Sequence, residues 1–149
     1  MTNPKDKWIL VADSEQARLL QGTLTGQNRI HLDEKAVLKT TFVAGEHHRP
    51  SQLTGRGHTA HASFGHEHEE KLAHFARELS SWLDKELSGR KVEKCALFAP
   101  SRFLGAFRKE VKGPLAARLS QHEGEITKLS PGQLADHPSV AAELSALRG

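Results

Sequence analysis

A chain of 149 residues with 21 lysines and arginines against 18 aspartates and glutamates carries a formal net charge of +3, mildly basic and of a size that suits one domain with its own core. Its single cysteine, Cys95, excludes an internal disulfide framework and fits a reducing compartment. No stretch approaches the roughly 20 apolar residues of a membrane span, and MTNPKDKW lacks the apolar centre of a secretion signal, so the expectation is a cytoplasmic protein with no membrane partner.

In chain order, Trp8-Ile9-Leu10-Val11-Ala12 reads as a buried strand, and Asp13-Ser14-Glu15 as a turn that sends residues 17–24 back beside it. Asp13, at the end of that strand, reads as a side chain capping the turn rather than as a catalytic acid. Residues 22–29 are polar and broken by glycine, which predicts a loop, and a third, weaker strand is expected around Ala36-Val37-Leu38. From 44 to 65 glycine, histidine, serine and threonine dominate, with Leu53 and Phe64 as the large apolar residues, so a long flexible loop is expected there.

Residues 66–87 carry the clearest pattern in the chain. Leu72, Phe75, Ala76, Leu79, Trp82, Leu83 and Leu87 recur at steps of three and four, the stripe of a helix packed on a core, and Gly89 reads as its stop. Residues 92–99 predict a strand buried on both faces, ended by Pro100. Ser101 then reads as the cap of a helix reaching Val111, with Phe103, Leu104, Phe107 and Val111 inward and Arg102, Lys109 and Lys112 forming a basic face. A short helix at 114–120, a strand at 125–129 and a last helix over 131–148, interrupted at His137-Pro138, complete the reading. Two or three strands first and then alternating helices and strands imply a single α/β layered domain with a mixed sheet.

Seven of the ten histidines fall between His47 and His74. Neutral imidazole is a good zinc ligand, and His58, His61, His66 and His68 are the candidates for such a site, although their spacing matches no established ligand pattern. The same His58 and His61 are the candidates for a catalytic base. No Walker loop or dinucleotide fingerprint occurs, and no cofactor is expected. Gly55 and Gly57 flank Arg56, which frees the backbone to approach a partner, while Arg49 and Arg56 favour phosphate nearby. Arg49, Gly55, Arg56, Gly57 and His58, together with Arg102, Lys109 and Lys112, are therefore the candidate RNA-contacting residues.

Three stretches, WILVADSEQARLL, LFAPSRFLGAFRKEV and EITKLSPGQL, separated by a glycine-rich loop and an amphipathic helix, resemble the bacterial host-attachment protein family. The most specific part is Ala99-Pro100-Ser101-Arg102-Phe103-Leu104-Gly105. That family is in turn similar to the middle domain of archaeal and eukaryotic class-one release factors and of Pelota. The similarity implies a ribonuclease-H-like arrangement, a mixed five-stranded sheet flanked by helices, and a partner such as the ribosome or tRNA. Release factors carry Gly-Gly-Gln in the loop before the main helix. Gly55-Arg56-Gly57-His58-Thr59 stands at the corresponding place, with His58 for the second glycine and Thr59 for the glutamine. The resemblance thus implies RNA or ribosome association in translation stress, rescue or hibernation without the release reaction. Two other readings stand beside it: an RNA-ester hydrolase using the histidine loop, and a regulatory interaction domain that self-associates as a homodimer through a sheet edge or a helix face.

Overall fold

The computed structural model describes residues 6–42 and 57–148, with helix residues 57–67 described by their backbone. Its centre is a five-stranded mixed sheet in the order β3-β2-β1-β4-β5, where β1 is Asp6–Ala12, β2 Gln16–Thr25, β3 Arg29–Lys39, β4 Cys95–Ala99 and β5 Leu119–Glu123. The first three strands form an antiparallel meander, and β1, β4 and β5 run parallel. Parallel pairing requires crossovers, and the helices supply them. α1 (Gly57–Gly89) lies between β3 and β4, while α2 (Ser101–Glu110) and α3 (Pro114–Ala117) lie between β4 and β5. α4 (Pro131–Asp136) and α5 (Pro138–Leu144) follow β5.

Strand alternation divides the core into two layers. Trp8, Leu10, Ala12, Ala17, Leu19, Cys95, Leu97 and Ala99 face the side covered by α1, α2 and α3, where they meet Phe75, Leu79, Leu83, Phe103 and Phe107. Ile9, Val11, Leu20, Leu32, Ala96 and Phe98 face the other side and meet Leu134, Val140, Leu144 and Leu147 of the C-terminal helical segment. Continuous apolar runs such as Trp8–Ala12 and Cys95–Ala99 belong to strands covered on both faces, which is why they lack a polar alternate position.

The stripe expected over 66–87 is the buried face of α1, whose Leu72, Phe75, Ala76, Leu79, Leu83 and Leu87 are buried. The helix is longer than its stripe: it begins at Gly57, so the expected loop of 44–65 is helical from 57 onward, and residues 43–56 lie outside the described ones. At its far end the left-handed residue is Lys91 (φ 57°) rather than Gly89. The Lys91 N–H donates to the Ser88 carbonyl at 3.2 Å and the Val92 N–H to the Leu87 carbonyl at 2.8 Å, with Val92 and Leu87 both buried. This pair of bonds with its apolar contact closes the helix end.

Four other expectations are corrected. The loop placed at 22–29 is mostly strand: β2 runs through Thr25, a single 3-10 turn at Gly26–Asn28 follows, and β3 starts at Arg29. The helix expected at 114–120 ends at Ala117, and the fifth strand is Leu119–Glu123, not 125–129. Ile126 and Thr127 are buried, but in the connection after β5, so their apolar spacing reflects contacts of a loop. The cap of α2 is Pro100, with Ser101 its first helical residue and no side-chain cap bond, and the helix ends at Glu110.

Gly22 allows α5 to approach the sheet closely, since a Cβ built there would stand 2.6 Å from Leu144 Cδ2. The interruption at His137-Pro138 occurs as expected: the Ser130–Gln133 capping box starts α4, and His137 Nδ1 accepts the Ser139 N–H at 3.3 Å to start α5.

Candidate functional site

The residues with candidate chemistry fall on three places. Gly57, His58, His61 and His66 lie on the first turns of α1, Arg102 and Lys109 on α2, and Lys112 just beyond it; Arg49, Gly55 and Arg56 lie outside the described residues. Gly57 stands roughly 22 Å of helix axis ahead of Leu72, the first buried side chain of α1 among the described residues. Between them Glu69 and Glu70 are exposed and His68 is half-buried. Among the described side chains of α1, which begin at His68, burial starts at Leu72.

A polar clamp ties the chain leaving β3 to α1. Glu78 of α1 accepts from the Thr40 hydroxyl at 3.1 Å, the Thr41 N–H at 3.1 Å and the Thr41 hydroxyl at 2.9 Å. The Phe42 ring packs on the His74 ring with centroids 5.6 Å apart. His74 Nε2 lies 3.0 Å from Thr41 Oγ1 and 3.2 Å from Glu78 Oε1. A hydroxyl, an imidazole and a carboxylate meet here, yet not as a nucleophile relay. A relay needs the carboxylate on one ring nitrogen and the nucleophile on the other. Both partners here face Nε2, and the Thr41 hydroxyl already donates to Glu78, so Nε2 carries the proton and donates. The same holds for Ser120, His122 and Glu143: His122 Nε2 is 3.3 Å from Ser120 Oγ and 3.9 Å from Glu143 Oε1, and its ring stacks on Phe98 at 4.8 Å. Sequence reasoning missed both clusters, because each is completed by a residue from a distant segment, Thr41 beside the His74–Glu78 pair of α1 and Glu143 beside Ser120 and His122 of β5.

Asp13 is occupied as a structural acceptor. Its Oδ1 takes the Glu15 and Gln16 N–H groups at 2.7 and 2.9 Å, and its Oδ2 takes the Thr127 hydroxyl at 2.6 Å. Arg18 completes this corner: Nη1 donates to the Thr127 and Leu129 carbonyls at 2.7 and 2.6 Å, and Nε pairs with Glu34. Cys95 is buried, and desolvation pushes its thiol up to about 12, the state of a packing residue rather than a nucleophile.

The basic face divides in two. Arg102 and Lys109 are exposed, two turns apart on one side of α2, with no ion-pair partner among the described residues. Lys112 lies past the helix end, lining a shallow depression with Asp84 and Glu110, so its charge sits among carboxylates. Among the described residues no group of three or more His, Cys, Asp or Glu is placed to hold a metal; the side chains of His58, His61 and His66 are not among them. No helix among the described residues is long and apolar enough to cross a membrane.

A mixed α/β sheet covered by helices on both faces, with a long helix reaching back from its core to a glycine-histidine start, defines the structural class. Residues 8–137 match the family described as "Protein required for attachment to host cells", and the chain belongs to that family. The match takes in every strand but the first two residues of β1, all of α1, α2, α3 and α4, and the Gly-Arg-Gly-His stretch. No curated protein matches the chain.

Proposed function

We propose that this protein is a cytoplasmic RNA- or ribosome-associated protein, similar to a release-factor middle domain that lacks Gly-Gly-Gln, acting in translation stress or rescue. The observation that carries the reading is the position of Gly57-His58 on the first described turn of α1, roughly 22 Å of helix axis ahead of Leu72, where the buried stripe begins among the described side chains. The N–H groups of such a helix start, next to Arg56, are suited to meet phosphate. The sheet order β3-β2-β1-β4-β5, with β1 antiparallel to β2 and parallel to β4, supports the ribonuclease-H-like arrangement that the resemblance implies. Arg102 and Lys109, without carboxylate partners among the described residues, are suited to contact phosphates, with Arg49, Arg56 and His58 contributing from the segment itself. With Thr59 where release factors place glutamine, the segment binds without positioning water on an ester.

The test is sedimentation of lysate at low salt, with and without ribonuclease. The protein is expected to travel with ribosomes or tRNA, to leave them steeply as salt rises, and to lose the association in Arg56→Glu. If it stays at the top of the gradient in both growing and stationary cells, the reading fails. Turnover of peptidyl-tRNA that disappears in His58→Ala or His61→Ala would replace it with the hydrolase reading. The family description favours a second reading, a role in host attachment exerted through protein contacts. Salt-resistant self-association without RNA binding would select that one.

A further inference from the structure

The parallel strands begin at the end of the sheet opposite Asp13, and an open cleft of about 560 Å³ lies there, lined by the starts of β1, β4 and β5 and by the C-terminal turn. That volume falls in the range of small-ligand sites. Three cations line it from three separate parts of the chain: Lys7 on β1, Lys94 just before β4 and Arg118 just before β5. Lys7 and Lys94 have no ion-pair partner among the described residues, and Arg118 spends one donor on the Ser88 hydroxyl at 3.3 Å. The Ser120 hydroxyl adds a further polar group. Of the two carboxylates on the rim, Glu143 has His122 Nε2 at 3.9 Å, and Glu93 is exposed.

Trp8 supplies an independent observation. It lines the cleft, is 6% exposed, and its indole Nε1 is buried with no hydrogen-bond partner among the described residues. A buried donor without an acceptor calls for one from outside the described residues. The Arg90 guanidinium stands 5.8 Å from the centre of the same ring and is paired with Glu86 at 3.1 Å, so it packs behind the indole with its charge already matched.

We propose that this cleft is a binding site for a phosphate monoester of mononucleotide size, with Lys7, Lys94 and Arg118 holding the phosphate and the apolar wall beside Trp8 receiving the organic group. The arrangement is suited to a phosphate because three cations from different elements line one cleft, two as point charges and one as a fork of N–H donors. It is independent of the start of α1, so its success or failure leaves the ribosome reading untouched.

The experiment is a titration of the ¹⁵N-labelled full chain with AMP, inorganic phosphate and adenosine, following the Trp8 indole cross-peak, assigned with Trp82→Phe. Saturable movement of that peak by AMP is expected, with adenosine at least tenfold weaker. Lys94→Glu, at an exposed position, is expected to weaken AMP at least tenfold while leaving the circular dichroism spectrum unchanged; Lys7→Glu provides a second reading of the same effect. Phosphate binding as tightly as AMP assigns the free anion as the ligand and supports the phosphate chemistry; AMP binding more tightly assigns the nucleotide. The proposal is overturned if neither AMP nor phosphate moves the Trp8 peak, if adenosine matches AMP, or if a folded Lys94→Glu protein binds AMP as the parent does.

Discussion

The two helical layers cover one sheet by different means. Among the described residues α1 meets its face of the sheet with six buried side chains on one continuous stripe, and α2 adds Phe103, Leu104 and Phe107, so this layer is positioned by area and shape. The opposite layer is made of helices of six and seven residues, too short to hold themselves, and it buries Leu134, Val140 and Leu144. Directed bonds place it: the capping box at Ser130, the cap at His137, and the Arg18 guanidinium holding the carbonyls of Thr127 and Leu129 just ahead of α4. A long amphipathic helix encodes its position in a repeating pattern, whereas short helices depend on single residues that fix the chain where it enters them.

The largest effect should come from the patterned layer. Phe107→Ala is expected to cost about 3–5 kcal/mol, measured by urea unfolding, because Phe107 is fully buried and its loss leaves a cavity. Cys95 gives a second readout: its buried thiol should be alkylated slowly in the parent and much faster in this variant. Arg18→Ala is expected to cost about 2–3 kcal/mol, since it removes charge-assisted bonds to two carbonyls. Its signature should be local, with hydrogen exchange rising over residues 131–144 before it rises in α1. Equal acceleration in both layers would break the contrast drawn above. Ser130→Ala should cost about 1 kcal/mol, the loss of one helix cap, read from the thermal midpoint. The smallest change has the opposite sign: Gly105→Ala, within α2 and with open space around the added methyl, should stabilise by about 0.5–1 kcal/mol.

The same contrast explains what the sequence disclosed. β1, β4 and the stripe of α1 are buried on faces that dictate periodic apolar residues, so they are legible from Trp8–Ala12, Cys95–Ala99 and Leu72–Leu87. β5 reads Leu-Ser-Gln-His-Glu and has no apolar alternation; it is a strand because its backbone pairs with β4, a cause local composition does not carry. The stretch at 125–129 shows the reverse, strand-like residues whose Ile126 and Thr127 pack from a loop. Of the candidate site, Arg102 and Lys109 were legible as one face of a helix, whereas Gly57, His58 and His61 were read as loop and lie on α1, because their glycine- and histidine-rich composition carries no apolar stripe. The Thr41–His74–Glu78 clamp and the cleft beside Trp8 arise only when distant segments meet.

One detail of the outer strand bears on how this molecule behaves at high concentration. The pairing of β2 with β3 shifts register between Leu19 and Leu20, leaving Lys35 as the extra residue on β3, between Glu34 and Ala36. Lys35 forms an ion pair with Asp33 at 3.1 Å, so the middle of the outermost strand carries both a kink and a knot of charge. An incoming strand would have to match an irregular ladder and strip water from those charges at once. Lys35 thus guards the sheet against polymerising edge to edge, and replacing it with an apolar residue would expose that side to strand-by-strand aggregation.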